Sequence, residues 1–153
     1  MSHRSAIIAD ERRALARVRR EIDRRGWASA EGCVIVDESH VATDYTVGLT
    51  RHHGHPEIVI VDGSYVESRR ILARLAHEVA MGTRFEPCLL DIDGVRYGLL
   101  AVEDPAHLWL AHLMYARDGL PVSALQVVAP SETGLLPWES GEGQDLLLGA
   151  WPF

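Results

Sequence analysis

The dipeptide Asp93-Gly94, set between LLDI and VRYGLL, constrains the fold of this 153-residue chain more than any other feature. Asp-Gly supplies the two positive-φ residues of a type I′ turn, whose twist suits two antiparallel strands. A lone hairpin is marginal in water, so this one needs neighbouring strands. CVIVD (33–37), YTVGL (45–49), EIVIV (57–61) and ALQVVA (124–129) read as those strands, each a short apolar run bounded by turn residues. Helices fill the intervals. Asp10 is placed to cap a helix running to Arg25, with Leu15, Val18 and Ile22 as its apolar stripe and Gly26 as its stop. Ser64 and Glu67 have the spacing of a capping box, which predicts a second helix carrying Leu72, Leu75 and Val79 to Gly82. Asp104-Pro105 supplies the cap and first-turn proline of a third, ended by Gly119.

The resulting order is helix, three strands, helix, hairpin, helix, strand and a turn-rich tail. It predicts an α+β fold: a mostly antiparallel mixed sheet with about three helices packed on one side. No repeat, linker or low-complexity segment interrupts the chain, so residues 1–153 form a single domain, opening with the helix of residues 1–26.

Composition narrows the function classes. With 47% hydrophobic residues the chain can bury a core, and its formal charge of −7 gives no global field for nucleic acid. The charge is asymmetric. Seven arginines lie between Arg12 and Arg25, and no basic residue follows Arg117, where Asp118, Glu132, Glu139, Glu142 and Asp145 stand. The two ends are expected to face each other within a subunit or across a homo-oligomer. All fifteen basic residues are arginine, so no lysine can form a Schiff base. Cys33 and Cys88 lie far apart in apolar runs and read as buried, reduced thiols. The N-terminus lacks a signal-peptide core, and LWLAHLMYA is too short to span a bilayer. A cytoplasmic protein without membrane or nucleic-acid partners is the expectation.

The densest polar segment is TRHHGHPE (50–57). His52, His53 and His55 are the candidate metal ligands, with His53, His55 and Glu57 on one side if the chain is extended. The spacing matches no zinc pattern, and a solvated loop with one histidine turned inward is the preferred reading. HEVAM (77–81) opens like H-E-x-x-H, but Met81 occupies the second ligand position. No nucleophile elbow, phosphate-cradling glycine loop or cofactor motif is legible. Acidic residues intermix with the arginines of the first helix, which reads as a solvated face. On strand YTVGL, Tyr45 and Thr46 point to opposite sides, and Gly48 leaves a gap where a backbone, ring or ligand approaches. Gln126 and Trp138 stand at a strand and the turn after it, where a polar group and an aromatic either wall a pocket or plug the core.

YTVGL, HPEIVIV and the late LQVV, Pro130, Gly134 and LPWE occur in that order from Trp27 to Trp138. In this the chain resembles the domain-of-unknown-function 4262 family of small bacterial proteins, and the resemblance implies a family core over residues 27–138 and a tail over 139–153. It departs from the family where a tryptophan and an aspartate usually flank the late proline; Ala129 and Ser131 stand there. The resemblance implies a compact cytoplasmic domain and no reaction. Of the histidines, only His55 falls in a shared block.

Three functions follow as expectations. The first is a small-molecule-binding or accessory domain, its pocket lined by Tyr45, Thr46, His55, Glu57, Gln126 and Trp138 between the early and late motifs. The second is a hydrolase-type enzyme with His55 and Glu57 as acid/base pair. The third is an interaction module acting through the arginine-rich helix or through Trp151-Pro152-Phe153.

Overall fold

A computed structural model describes residues 3–152 of the chain. Helix α1 (His3–Arg25) leads through Gly26 into a long hairpin of β1 (Ala28–Val36) and β2 (Ser39–Val47). A one-turn helix α2 (Leu49–His53) follows, then β3 (Glu57–Val61), α3 (Tyr65–Ala80), and the hairpin of β4 (Cys88–Ile92) and β5 (Val95–Ala101). Helix α4 (Trp109–Tyr115), framed by 3-10 turns at Pro105–His107 and Ala116–Asp118, precedes β6 (Ala124–Val128) and a short α5 (Pro137–Ser140).

The turn chemistry explains the punctuation. Asp93 and Gly94 have φ of 52° and 82°, and they close β4 onto β5 in the predicted hairpin. Ser64 Oγ accepts the Glu67 N–H at 3.3 Å and starts α3. Asp104 accepts the Ala106 N–H at 3.0 Å ahead of Pro105. The third predicted helix is therefore real but broken, since Leu108 leaves helical geometry between its first turn and α4.

The six strands form one mixed sheet in the order β1-β2-β3-β6-β5-β4. Among the described residues only the central pair, β3 and β6, is parallel. Ala30, Tyr45, Val59, Gln126 and Leu100 lie in one cross-strand row. On this face α1 and α4 bring Val18, Ile22, Leu110, Ala111, Met114 and Tyr115 onto Tyr45, Val47 and Val59. On the other, α3 sets Ile71, Leu72, Leu75, Ala76 and Val79 against Ile58, Ile60, Leu99 and Val127. Each of the Val, Leu and Ile side chains fully buried here contributes roughly 1.5–3 kcal/mol.

Helices thus cover both faces, not one as predicted. The central strands are buried on each side, so EIVIV carries no alternation that tells a one-sided from a two-sided strand. Helix α1 begins before Asp10, which sits inside it and pairs with Arg13. Arg17 and Arg25 pair with Glu21 of the same helix, and among the described residues no α1 arginine forms an ion pair with an acidic residue after Arg117. The expectation of two buried thiols fails for Cys33, which is exposed on edge strand β1; Cys88 is half-buried on β4 at the opposite edge. No helix among the described residues is long and apolar enough to cross a membrane.

Candidate functional site

Gly48 breaks the strand that YTVGL was expected to form. Its φ is 116°, and a Cβ there would lie 2.8 Å from the Gly26 carbonyl oxygen and 3.0 Å from Trp27 Cα. Backbone fills the gap, and only glycine permits both the conformation and the approach. The chain turns at Gly48 into α2, so Leu49 to His53 are helical.

The first N–H groups of that helix, which have no partner within it, point at Glu57, whose side chain is 0% exposed. Oε1 accepts from Thr46 Oγ1 at 2.9 Å and the Leu49 N–H at 3.2 Å. Oε2 accepts from the Thr50 N–H at 3.0 Å, Thr50 Oγ1 at 2.8 Å and the Tyr115 hydroxyl at 2.5 Å. Two of these donors are themselves engaged: Thr46 Oγ1 accepts the Ile58 N–H at 2.9 Å, and the Tyr115 oxygen accepts the Gly48 N–H at 2.6 Å. Burial pushes the Glu57 carboxyl up, while hydrogen bonds from Tyr115, Thr50 and Thr46 pull it down. Burial, reinforced by the adjacent carboxylate, also raises the Tyr115 hydroxyl well above its ordinary value. The expected partner Arg51 turns away; it donates to the Met114 carbonyl at 2.9 Å and pairs with Asp118. Glu57 therefore ties β2, α2, β3 and α4 together as an internal helix cap.

His55 is 1% exposed and bonded to backbone through both ring nitrogens. Nε2 accepts the Phe85 N–H at 2.9 Å, and Nδ1 lies 2.7 Å from the Pro56 carbonyl oxygen, which assigns the proton to Nδ1. Burial lowers its pKa. His55 and Glu57 share no hydrogen bond, and each is saturated by other partners, so the proposed acid/base pair has no free atom to offer substrate. The three histidines do not converge either. His52 is exposed and His53 half-buried on α2, because a helical turn replaced the extended chain assumed for them. Among the described residues no group of three or more His, Cys, Asp or Glu is placed to hold a metal.

The remaining predicted site residues do different work. Tyr45 is fully buried on the α1/α4 face, its hydroxyl accepting the Leu110 N–H at 3.2 Å and pushed up by burial to about 12. Gln126 lies in the same cross-strand row, with buried Val59 between them. Its amide grips the tail, donating to the Leu146 carbonyl at 2.9 Å and accepting the Leu148 N–H at 2.7 Å. Trp138 rests on Gly98, where a Cβ would come within 2.3 Å of the indole, and stacks on Trp151 at 4.2 Å between ring centroids. Trp138 is a plug over β5; Phe153 lies outside the described residues. The six predicted residues thus divide among separate structural roles: Thr46 and Glu57 in the cap of α2, His55 and Tyr45 bonded to backbone, and Gln126 and Trp138 in a clamp against the tail.

A cavity does lie beside that clamp, further along the same strands. About 290 Å³ in volume, it is walled by Val61, Asp62 and Gly63 at and after the end of β3, by Gln126 to Ser131 on and after β6, by Pro137 of α5, and by Leu146 and Leu147 of the tail. Of the predicted set only Gln126 lines it. It exists because the chain leaves adjacent parallel strands toward opposite faces: β3 runs into α3 on one, β6 into the tail on the other. Asp62, Ser131 and Glu142 are the polar groups of its lining beside Gln126. A sequence signal for it was present: Asp62-Gly63 and Pro130-Ser131 follow two apolar strands, but nothing local showed the strands to be parallel neighbours. A family model described as Domain of unknown function (DUF4262) matches residues 21–142. No curated protein and no solved structure matches the chain.

Proposed function

The chain belongs to the DUF4262 family, which names no reaction, and from the site alone we propose a cytoplasmic small-molecule-binding domain whose ligand sits between the carboxyl ends of β3 and β6. The observation that carries this reading is the divergence of the chain after β3 and β6, the only parallel strand pair among the described residues. In open sheets, ligands bind where neighbouring parallel strands send their connections to opposite faces. The lining supports it. Val61, Val127, Val128, Leu146 and Leu147 give an apolar wall, with a few polar groups among them. A volume of 290 Å³ accommodates a group of one or two rings, since about 150 Å³ suffices for benzene. The buried polar residues of YTVGL and HPE serve the reading indirectly, by holding β3 in place.

A thermal-shift screen of metabolites against wild-type protein and Ala129→Trp tests it. Ala129 is exposed at the cavity wall, so the indole obstructs the space without disturbing the core. A ligand at a hundredfold excess over its Kd stabilises by about 2.7 kcal/mol. Compounds that raise the wild-type Tm should lose their effect on Ala129→Trp. Equal stabilisation of both proteins overturns the assignment.

A further inference from the structure

We propose that a second, separate cleft binds a phosphate monoester or a comparable dianion. Arg19 of α1, Arg51 of α2 and Arg117 of the turn after α4 line one depression of about 600 Å³, together with Met114, Asp118 and Leu120. Three guanidiniums from three separate elements face a single carboxylate, leaving two positive charges in excess on a chain whose net charge is −7. Arg69 meets Glu31, Arg70 and Arg74 meet Asp93, and Arg96 meets Glu139, whereas the other arginines without an ion pair among the described residues, Arg12, Arg20, Arg24 and Arg84, stand exposed outside this cleft. Arg19 and Arg117 form no ion pair among the described residues. Arg51 is already held, by Asp118, by the Met114 carbonyl at 2.9 Å and over the Tyr115 ring at 5.7 Å from its centroid. The cleft therefore presents one fixed guanidinium and two uncommitted ones. A guanidinium fork matches phosphate oxygens in pairs, and two free positive charges match a group carrying about −1.5 to −2 at neutral pH. Met114 and Leu120 add apolar surface for a small group attached to the phosphate. The net charge of −7 supplies no global field for anions, so binding depends on this local arrangement.

The test is an NMR titration of the full chain with inorganic phosphate and with phenyl phosphate at constant ionic strength. Saturable shifts should appear at Arg19, Arg51 and residues 114–120, with phenyl phosphate the tighter ligand. Arg19→Gln/Arg117→Gln should weaken phenyl phosphate by about tenfold or more. Arg12→Gln/Arg24→Gln removes the same charge from exposed positions outside the cleft and should change it less than about twofold. Tm checks that both variants are folded. Equal weakening by the two double variants, shifts centred outside the cleft, or no saturable binding of either probe overturns the proposal.

Discussion

Replacing Glu57 with glutamine sets two effects directly against each other. Burial alone makes the change harmless or stabilising, because it removes a charge from a fully buried position. The donor geometry predicts the reverse. The two oxygens accept five hydrogen bonds, two of them from backbone N–H groups of α2. Glutamine keeps one oxygen and turns the other into an N–H donor. Placed at Oε1 the amide nitrogen faces the Leu49 N–H, and placed at Oε2 it faces the Thr50 N–H and the Tyr115 hydroxyl. Either way a buried backbone donor loses its acceptor, at about 1–3 kcal/mol, and the remaining bonds lose their charge assistance. Relief of the desolvated charge offsets part of this. The expected net loss is about 2–4 kcal/mol, or roughly 5–15 °C in Tm for a chain of this size. Urea unfolding followed by tryptophan fluorescence, with thermal melts by circular dichroism, measures it. A midpoint equal to or above wild type would refute the assignment of Glu57 as the cap of α2.

Three further outcomes follow from the same structure. His55 has its pKa lowered by burial. The unfolded chain thus binds a proton the folded one refuses, so stability from this group is complete above about pH 6.5 and is lost as pH falls below it. Urea midpoints between pH 5 and 8 should show a shallower slope for His55→Gln than for wild type, the lowered His107 supplying the remainder; identical slopes contradict this. Gln126→Ala removes both bonds to the tail, costing about 1–3 kcal/mol. It should expose residues 141–150 to limited proteolysis, and unchanged cleavage would show the clamp to be dispensable. Cys33 is exposed, whereas burial raises the pKa of the half-buried Cys88 thiol. An aromatic disulfide reagent should modify Cys33 first in the folded protein, and Cys33→Ser should remove the fast phase.

Features set by local chemistry were legible in the sequence. Asp93-Gly94 and Ser64 announce a hairpin and a helix start through their own backbone and side-chain preferences, and tertiary contacts did not override them. Features set by distant partners were not. Leu49 to His53 is helical because Gly48 turns the chain and Glu57 caps the result, and no propensity within LTRHH announces that. Tyr115 completes the Glu57 network across 58 residues of sequence, with no local mark distinguishing it from other core aromatics. The candidate site suffered from the same limit. His55, Glu57, Tyr45 and Gln126 stand out in the sequence as polar groups in apolar strands, and all four are buried and bonded inside the fold. The cavity arises from the parallel pairing of β3 with β6, which single runs such as EIVIV and ALQVV do not reveal.

Amide chemical-shift mapping during a titration with a small aromatic alcohol, benzyl alcohol, tests the central claim most directly. The cavity between the carboxyl ends of β3 and β6 predicts the largest shifts at Val61 to Gly63, Val127 to Ser131 and Leu146 to Leu147. Largest shifts at Thr46 to Glu57 and Tyr115 instead would contradict it, placing the ligand in the network around Glu57.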